Sequence, residues 1–309
     1  MSAADPAPFV WIDGKVGRGD QVALGLANHS LHYGLAVFEG VNAFPADTGG
    51  HHLFRIEEHV ARMAASCALV GLSLPCSEAD IVAGCHEVMH ANGLRRAYLR
   101  PIAYLGDGVL GLAAPGSAAR VAILAFGAEL LDDVVRPKSV RLTVSGVPRV
   151  SAAAMPMKAK TSAGYLNARM ATLDAWQRGF DEALMLDADG LVAECTVQNI
   201  VGFRGETVLL PVSDAALDGI TVASVADLAT DLGLSVSQRS VTRAELLACE
   251  ALCVASTAGG VRPVSVVDDL AFDVAHPAVV RVRRAYDDAE RGRHPRFAHW
   301  TRTPAEVSA

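Results

Sequence analysis

Met155-Pro-Met-Lys-Ala-Lys160-Thr-Ser-Ala-Gly-Tyr165-Leu-Asn167 is the stretch on which the reading of this chain turns. Lysine is scarce throughout. Of 27 basic residues only Lys15, Lys138, Lys158 and Lys160 are lysine, and the rest are arginine. A chain that carries its positive charge on arginine keeps lysine where an amine is required, because a deprotonatable amine can form a Schiff base with a carbonyl and a guanidinium cannot. Composition alone leaves a second reading open, in which Lys158 and Lys160 are solvated charges before a helix.

That helix is expected from about Ala163 to Arg178, with a strand near Val140–Val144 before it. A hairpin follows, 182–186 and 191–194, around the turn Asp187-Ala188-Asp189-Gly190. Upstream, short strands are expected around Asp13-Gly14, over Val37–Phe44 and over His52–Phe54. Val60, Met63, Ala64, Cys67, Ala68 and Leu69 recur at helical spacing within 57–70. A second helix runs from the capping residue Ser77 to His90 and stops at Asn92-Gly93. Strands are expected at Ala97–Leu105 and Arg120–Phe126. Downstream come helices near 220–232, 242–249 and 279–291, and strands near Val236, Leu252 and Val264. Interleaved helices and hairpins indicate an α+β fold rather than a doubly wound parallel sheet. The polar connection 127–137 divides the chain into a small domain, 1–125, an interdomain loop, 126–138, and a large domain, 139–309.

The bulk properties describe a buried globular protein of 309 residues, 51% hydrophobic and 20% charged. A net charge of −7 argues against nucleic acid as a partner. No secretory signal and no apolar run of the roughly 18–20 residues that span a membrane is visible. Cytoplasmic location with reduced thiols is the expectation, since the six cysteines have no compact disulfide or zinc spacing.

Two motifs imitate functional ones. His86-Glu87-Val88-Met89-His90 has the zinc-protease spacing, but the helix ends at once and no third ligand is apparent, so no metal is expected. Gly106-Asp107-Gly108-Val109-Leu110-Gly111 has the dinucleotide spacing, but it leads into another strand instead of opening a helix, and reads as a hairpin loop.

Four features of the second half fit pyridoxal phosphate. Lys160 supplies the imine nitrogen, and Tyr165 could reach the hydroxyl beside it. Glu194, ending a hairpin strand, could face the pyridine nitrogen and keep it protonated, as the electron sink requires. Gly219-Ile220-Thr221 opens a helix whose N–H groups suit a phosphate, and Thr257, in Ala255-Ser256-Thr257-Ala258-Gly259, adds a hydroxyl from a strand end.

The chain resembles the class IV (fold type IV) pyridoxal-phosphate aminotransferases, and within them the branched-chain amino-acid aminotransferases. The matching blocks include His32-Tyr33-Gly34, Val37-Phe38-Glu39-Gly40, Phe54-Arg55 with His59 and Arg62, Tyr98-Leu99-Arg100-Pro101, and Gly106-Asp107 with Leu110-Gly111-Leu112. They continue through Arg149, Pro156, Lys160, Tyr165-Leu166-Asn167, Asp181-Glu182-Ala183, Asp187, Gly190, Glu194, Asn199, Leu217, Gly219-Ile220-Thr221 and Thr257-Ala258. The resemblance selects Lys160 over Lys158, because the family's tyrosine lies five residues after its lysine. It implies a two-domain aminotransferase in which Lys160 is catalytic. Arg62, Gly219, Ile220, Thr221, Ser256 and Thr257 would hold the phosphate, Tyr165 the phenolic oxygen and Glu194 the ring nitrogen. It implies that Tyr98, Arg100, Thr257 and Ala258 hold substrate carboxylates. Tyr33, Phe38 and Gly40 would line the side-chain pocket, with Leu110 and Leu112 entering from the partner subunit of a homodimer.

This chain departs from the family in three places. Glu194-Cys-Thr-Val-Gln-Asn199 stands where the family has Glu-Gly-x-Gly-Glu-Asn. The loop after Phe126 lacks the usual Trp and Tyr, and Asn42 replaces an Arg. The expected reaction is amino transfer between an apolar L-amino acid and 2-oxoglutarate. The alternatives are D-amino-acid or (R)-amine transamination, aminodeoxychorismate lyase chemistry, and a non-catalytic small-molecule-binding protein.

Overall fold

The computed structural model describes residues 5–47, 49–108, 111–113, 116–127 and 138–304. They form two compact units. One draws on residues within 1–134, 159–163 and 289–309, the other on residues within 135–158 and 164–288. The expected interdomain loop and Leu110 fall almost wholly outside the described residues.

The first unit is an antiparallel sheet of β1 (Phe9–Ile12), β2 (Lys15–Arg18), β3 (Ala36–Phe38), β4 (Val41–Pro45), β5 (His51–Phe54), β6 (Ala97–Leu105), β7 (Ala119–Gly127) and β17 (Thr301–Arg302). The order is β17-β5-β4-β6-β7-β1-β2, and β3 also pairs with β6. A short helix α1 (His29–Tyr33) precedes β3, and α2 (Ile56–Leu69) and α3 (Glu78–Ala91) pack with the sheet. Ser77 caps α3 in a reciprocal box with Asp80, as its sequence suggests, and Gly93 takes a positive φ of 63° just past the C-cap Asn92. Gly84 lets α3 approach closely, since a Cβ there would lie 2.7 Å from the Trp11 ring. Period-two alternation along β6 sends Ala97, Leu99 and Ala103 into the core with Met63, Met89 and Ile123. Tyr98 and Arg100 therefore emerge on the opposite face.

The second unit holds a mixed sheet: β8 (Val140–Val144), β9 (Glu182–Leu186), β10 (Val192–Cys195), β11 (Asn199–Arg204), β12 (Thr207–Pro211), β13 (Ser235–Arg239), β14 (Ala251–Ser256), β15 (Gly260–Val267) and β16 (Leu270–Ala271). Its order is β10-β9-β8-β15-β14-β11-β12-β13, with β16 on β15. The β8–β9, β8–β15 and β12–β13 pairs are parallel and the rest antiparallel. Helices α4 (Gly164–Gln177), α5 (Ile220–Asp231) and α6 (Arg243–Leu247) follow the expected positions, as does α7 (Pro277–Glu290). Strands β11 and β12 are additions to the sequence reading. All six cysteines are free thiols, and among the described residues no helix is long and apolar enough to cross a membrane.

Candidate active site

Lys160 is held by backbone pairing with β3. Its carbonyl accepts from Phe38 N at 3.2 Å and its own N–H donates to Ser66 Oγ at 3.0 Å. Ser162 extends the pairing, with its N–H donating to Ala36 O at 2.8 Å. These bonds fix the chain on both sides of Lys160, and its Nζ lies 5.3 Å from the centroid of the Phe38 ring. Lys158 has partners of its own. Its Nζ donates to Ser213 O at 3.1 Å and to Asp218 Oδ1 at 2.7 Å.

Arg100 stacks over the same Phe38 ring at 4.6 Å and donates from Nη2 to Tyr98 Oη at 3.0 Å. Its Nε is buried without a hydrogen-bond partner, a costly state that an anionic ligand would relieve. Gly40 is required beside it, because a Cβ would come within 2.0 Å of Tyr98 Oη. Lys160, Phe38, Gly40, Tyr98 and Arg100 thus form one cluster. Tyr33 lies on α1 with its ring 4.7 Å from that of His29, and Leu112 is exposed.

Arg62 makes a two-pronged ion pair with buried Glu39, Nε to Oε1 at 2.7 Å and Nη2 to Oε2 at 2.9 Å. His59 Nδ1 donates to Glu39 Oε2 at 2.8 Å. Burial alone would raise the Glu39 carboxyl, but the His59 hydrogen bond and the Arg62 charge outweigh it and hold it well below the usual carboxylate range. Burial lowers the His59 imidazole despite Glu39, with Arg62 and Lys160 acting in the same direction. The ring is therefore neutral and orients the carboxylate as an N–H donor. Sequence reasoning gave Arg62 a role but not Glu39 or His59, although all three lay in the matched blocks.

In the second unit, Glu194 is the penultimate residue of β10 and is buried. Its Oε1 accepts from Arg149 Nη2 at 2.6 Å and its Oε2 from Leu217 N at 3.3 Å. Arg149 also reaches Asn167 Oδ1 at 3.5 Å, and Asn167 ties the first turns of α4, which carry Tyr165, to the 148–150 segment through Pro148 O and Val150 N. Asn199 donates to Leu217 O at 3.1 Å, and a Cβ on Gly219 would lie 1.9 Å from Asn199 Oδ1. That close approach requires glycine at the N-cap of α5, and Thr221 is buried in its first turn. The helix's own ladder does not use the N–H groups of its first residues, so this end suits an anion. Ser256, Thr257 and Ala258 sit at the β14–β15 turn. Arg149 and Asn199 had no assigned role from sequence, because their partners lie far away along the chain.

The first unit holds an amine beside an aromatic ring and two arginines, and the second holds a buried carboxylate paired with an arginine and a helix start that suits an anion. This chemistry fits a phosphorylated, nitrogen-containing aldehyde cofactor. Among the described residues no group of three or more metal-ligating side chains could hold a metal ion.

Comparison with known proteins agrees. Residues 36–267 match the family model of amino-transferase class IV. A branched-chain-amino-acid aminotransferase of Pseudomonas aeruginosa is 29% identical over 304 residues, covering 97% of this chain and 98% of that protein. The structure of a T.th. branched-chain amino acid aminotransferase complexed with N-(5'-phosphopyridoxyl)-L-glutamate superposes with a TM-score of 0.90 at 33% identity, covering 96% of this chain and 98% of that one. The Escherichia coli branched-chain enzyme superposes with a TM-score of 0.91 at 26% identity, covering 96% and 99%. With its α+β fold, and with its match extending over most of its length, this chain belongs to the class IV aminotransferases.

Proposed function

We propose that this chain is a pyridoxal-phosphate aminotransferase that exchanges an amino group between a branched-chain-type L-amino acid and 2-oxoglutarate. The observation that carries the reading is the cluster of Lys160 Nζ and the Arg100 guanidinium on one Phe38 ring. It joins an amine, a carboxylate-binding cation and an apolar surface.

When bound, pyridoxal phosphate supplies the electron sink for the pair left at the substrate α-carbon. Lys160 would be the amine that holds the cofactor through its aldehyde carbon, and it would carry the proton between the substrate α-carbon and the cofactor's C4′. Glu194, held by Arg149, keeps a proton on the ring nitrogen. To Arg62, whose guanidinium is oriented by Glu39, we assign a charge-assisted contact to the phosphate. The N–H groups of Ile220 and Thr221 at the α5 start join it, as does the Ser256–Thr257 strand end. Tyr165 donates to the phenolic oxygen. Tyr98, Arg100 and the Thr257–Ala258 backbone orient substrate carboxylates, and Phe38 and Gly40 shape the side-chain pocket. An arginine at an apolar pocket serves both substrates: it engages the distal carboxylate of glutamate and stacks on the ring when a hydrocarbon is present.

Exposed Leu24, Leu26, Leu31 and Leu112 support a homodimer in which Leu110 and Leu112 enter the partner's pocket and join Tyr33, Phe38 and Gly40 there. The enzyme would act in the cytoplasm on small molecules, without nucleic acid or membrane.

The test is a donor panel with 2-oxoglutarate as acceptor: L-leucine, L-isoleucine, L-valine, L-phenylalanine, D-alanine and an (R)-amine. Turnover of the L-amino acids is expected, with bulkier donors favoured by the missing Trp and Tyr of the loop. Activity confined to D-alanine or the amine would replace this function with D-amino-acid or (R)-amine transamination.

A further inference from the structure

The turn between β10 and β11, Thr196-Val197-Gln198, lies in one of the stretches where this chain departs from its family's pattern, and it is built into a continuous buried network. Glu182, on neighbouring β9, accepts at Oε1 from Thr196 Oγ1 at 2.8 Å and from Val197 N at 3.1 Å. Its Oε2 accepts from Gln198 Nε2. The other end of the same amide, Gln198 Oε1, accepts from Arg262 Nη2 at 2.6 Å and from Ser256 Oγ at 3.2 Å. Ser256 Oγ in turn accepts from Gly259 N at 3.2 Å. Glu182, Thr196, Gln198 and Arg262 are all buried, Gln198 to 4% exposure. The amide has one sensible orientation, because a flip would set oxygen against carboxylate and N–H against guanidinium.

The strand register explains the reach. Asn199 pairs with Ala255 across β11 and β14, so Gln198 and Ser256 are the next pair along, just where both strands run into turns. One neutral side chain thereby links a carboxyl on β9 to a guanidinium on β15 and fastens the β10–β11 turn to the β14–β15 hairpin turn. Burial pushes the Glu182 carboxyl above its ordinary value, and the hydrogen bonds from Thr196, Val197 and Gln198 offset only part of that rise.

We propose that Gln198 is a positioning residue, which fixes the Thr257-Ala258-Gly259 turn so that its backbone and the Ser256–Thr257 hydroxyls present a set geometry to the cofactor phosphate and the substrate carboxylate. The proposal rests on the binding role given above to residues 256–258. A glutamate at this position would keep an acceptor for Arg262 but set a second acceptor against Glu182, so the amide fits this network as the acid does not.

The experiment compares wild type, Gln198→Ala, Gln198→Glu and Ser256→Ala as full-length protein, with and without pyridoxal phosphate. Amide hydrogen exchange over 257–260 is read first, because it needs no activity. Gln198→Ala should speed that exchange about tenfold, the scale of one lost charge-assisted hydrogen bond. Ser256→Ala should speed it less, and Gln198→Glu should not restore protection. In the loaded enzyme Gln198→Ala should raise the KM for L-leucine and the Kd for pyridoxal phosphate while leaving kcat within a few-fold. Unchanged exchange in Gln198→Ala, or full recovery with glutamate, overturns the proposal. So does a fall in kcat with KM and Kd unchanged. If Gln198→Ala does not fold, Ser256→Ala decides, and unchanged exchange at Gly259 overturns it. Faster exchange in variants of a wild type that transaminates no donor would leave the positioning claim standing and sink the proposed reaction instead.

Discussion

Arg149 and Glu194 form a buried ion pair, Nη2 to Oε1 at 2.6 Å, between residues 45 positions apart. The glutamate lies near the end of β10 and the arginine lies in the segment that leads toward Lys160, so the pair joins two stretches that local pattern treats as unrelated. Removing the arginine would strand a carboxylate in a site with 4% exposure. Arg149→Met should destabilise the protein by about 3–5 kcal/mol, the usual cost of breaking a buried pair from one side. Adding Glu194→Gln should recover part of the loss. Urea denaturation of the single and double variants measures it, and a double variant no more stable than Arg149→Met would contradict the pairing.

Glu194→Gln alone should keep the cofactor and slow α-proton removal by orders of magnitude, since a neutral amide no longer holds a proton on the ring nitrogen. Stopped-flow single turnover with L-leucine reads this step, and an unchanged rate would assign Glu194 another task.

Gly40 faces Tyr98 Oη, and a Cβ there would approach it to 2.0 Å. Gly40→Ala should displace Tyr98 and, through the 3.0 Å hydrogen bond, Arg100. A larger rise in KM for glutamate than for leucine is expected, because glutamate alone needs a cation for a second carboxylate. Equal rises would place Arg100 away from the distal carboxylate.

His51 sets an acid-side limit on stability. Its Nε2 shares a 2.8 Å hydrogen bond with His86 Nδ1, and burial, with nearby His52 and His90, lowers its imidazole from 6.5 to about 4. A depressed pKa means the unfolded chain takes up the proton first. The contribution is therefore complete above about 6.5 and is lost as pH falls toward about 4. The loss is up to about 3 kcal/mol if the shift is fully expressed. His51→Phe should flatten the fall in Tm over this window relative to wild type. An identical pH slope in both proteins would contradict it.

The sequence was most legible where structure is local. Ser77 capping α3, Asn92-Gly93 ending it and the β6–β7 hairpin follow from neighbours along the chain. Strands β11 and β12 were hidden because Gly202 and Gly205 make their sequence look like a loop. Gly202 is demanded from a distance, since a Cβ there would lie 2.7 Å from Cys249 Sγ. The parallel pairing of β8 with β15 joins residues more than 120 positions apart, and no local pattern encodes it. The candidate site divides in the same way. Lys160 stood out by its chemistry, and the resemblance supplied Arg62, but Glu39, Arg149 and Gln198 gained their roles only through partners that folding brings to them.

Lys158 offers the internal control for the imine assignment. Its amine is engaged by Ser213 and Asp218, so Lys158→Ala should keep turnover within a few-fold while Lys160→Ala abolishes it. The decisive experiment incubates wild-type protein with pyridoxal phosphate, reduces it with borohydride and maps the pyridoxyl group by peptide mass spectrometry. An imine at Lys160 puts the label on that residue, with none in Lys160→Ala. A label on Lys158, or a wild-type protein that takes up no cofactor, would contradict it.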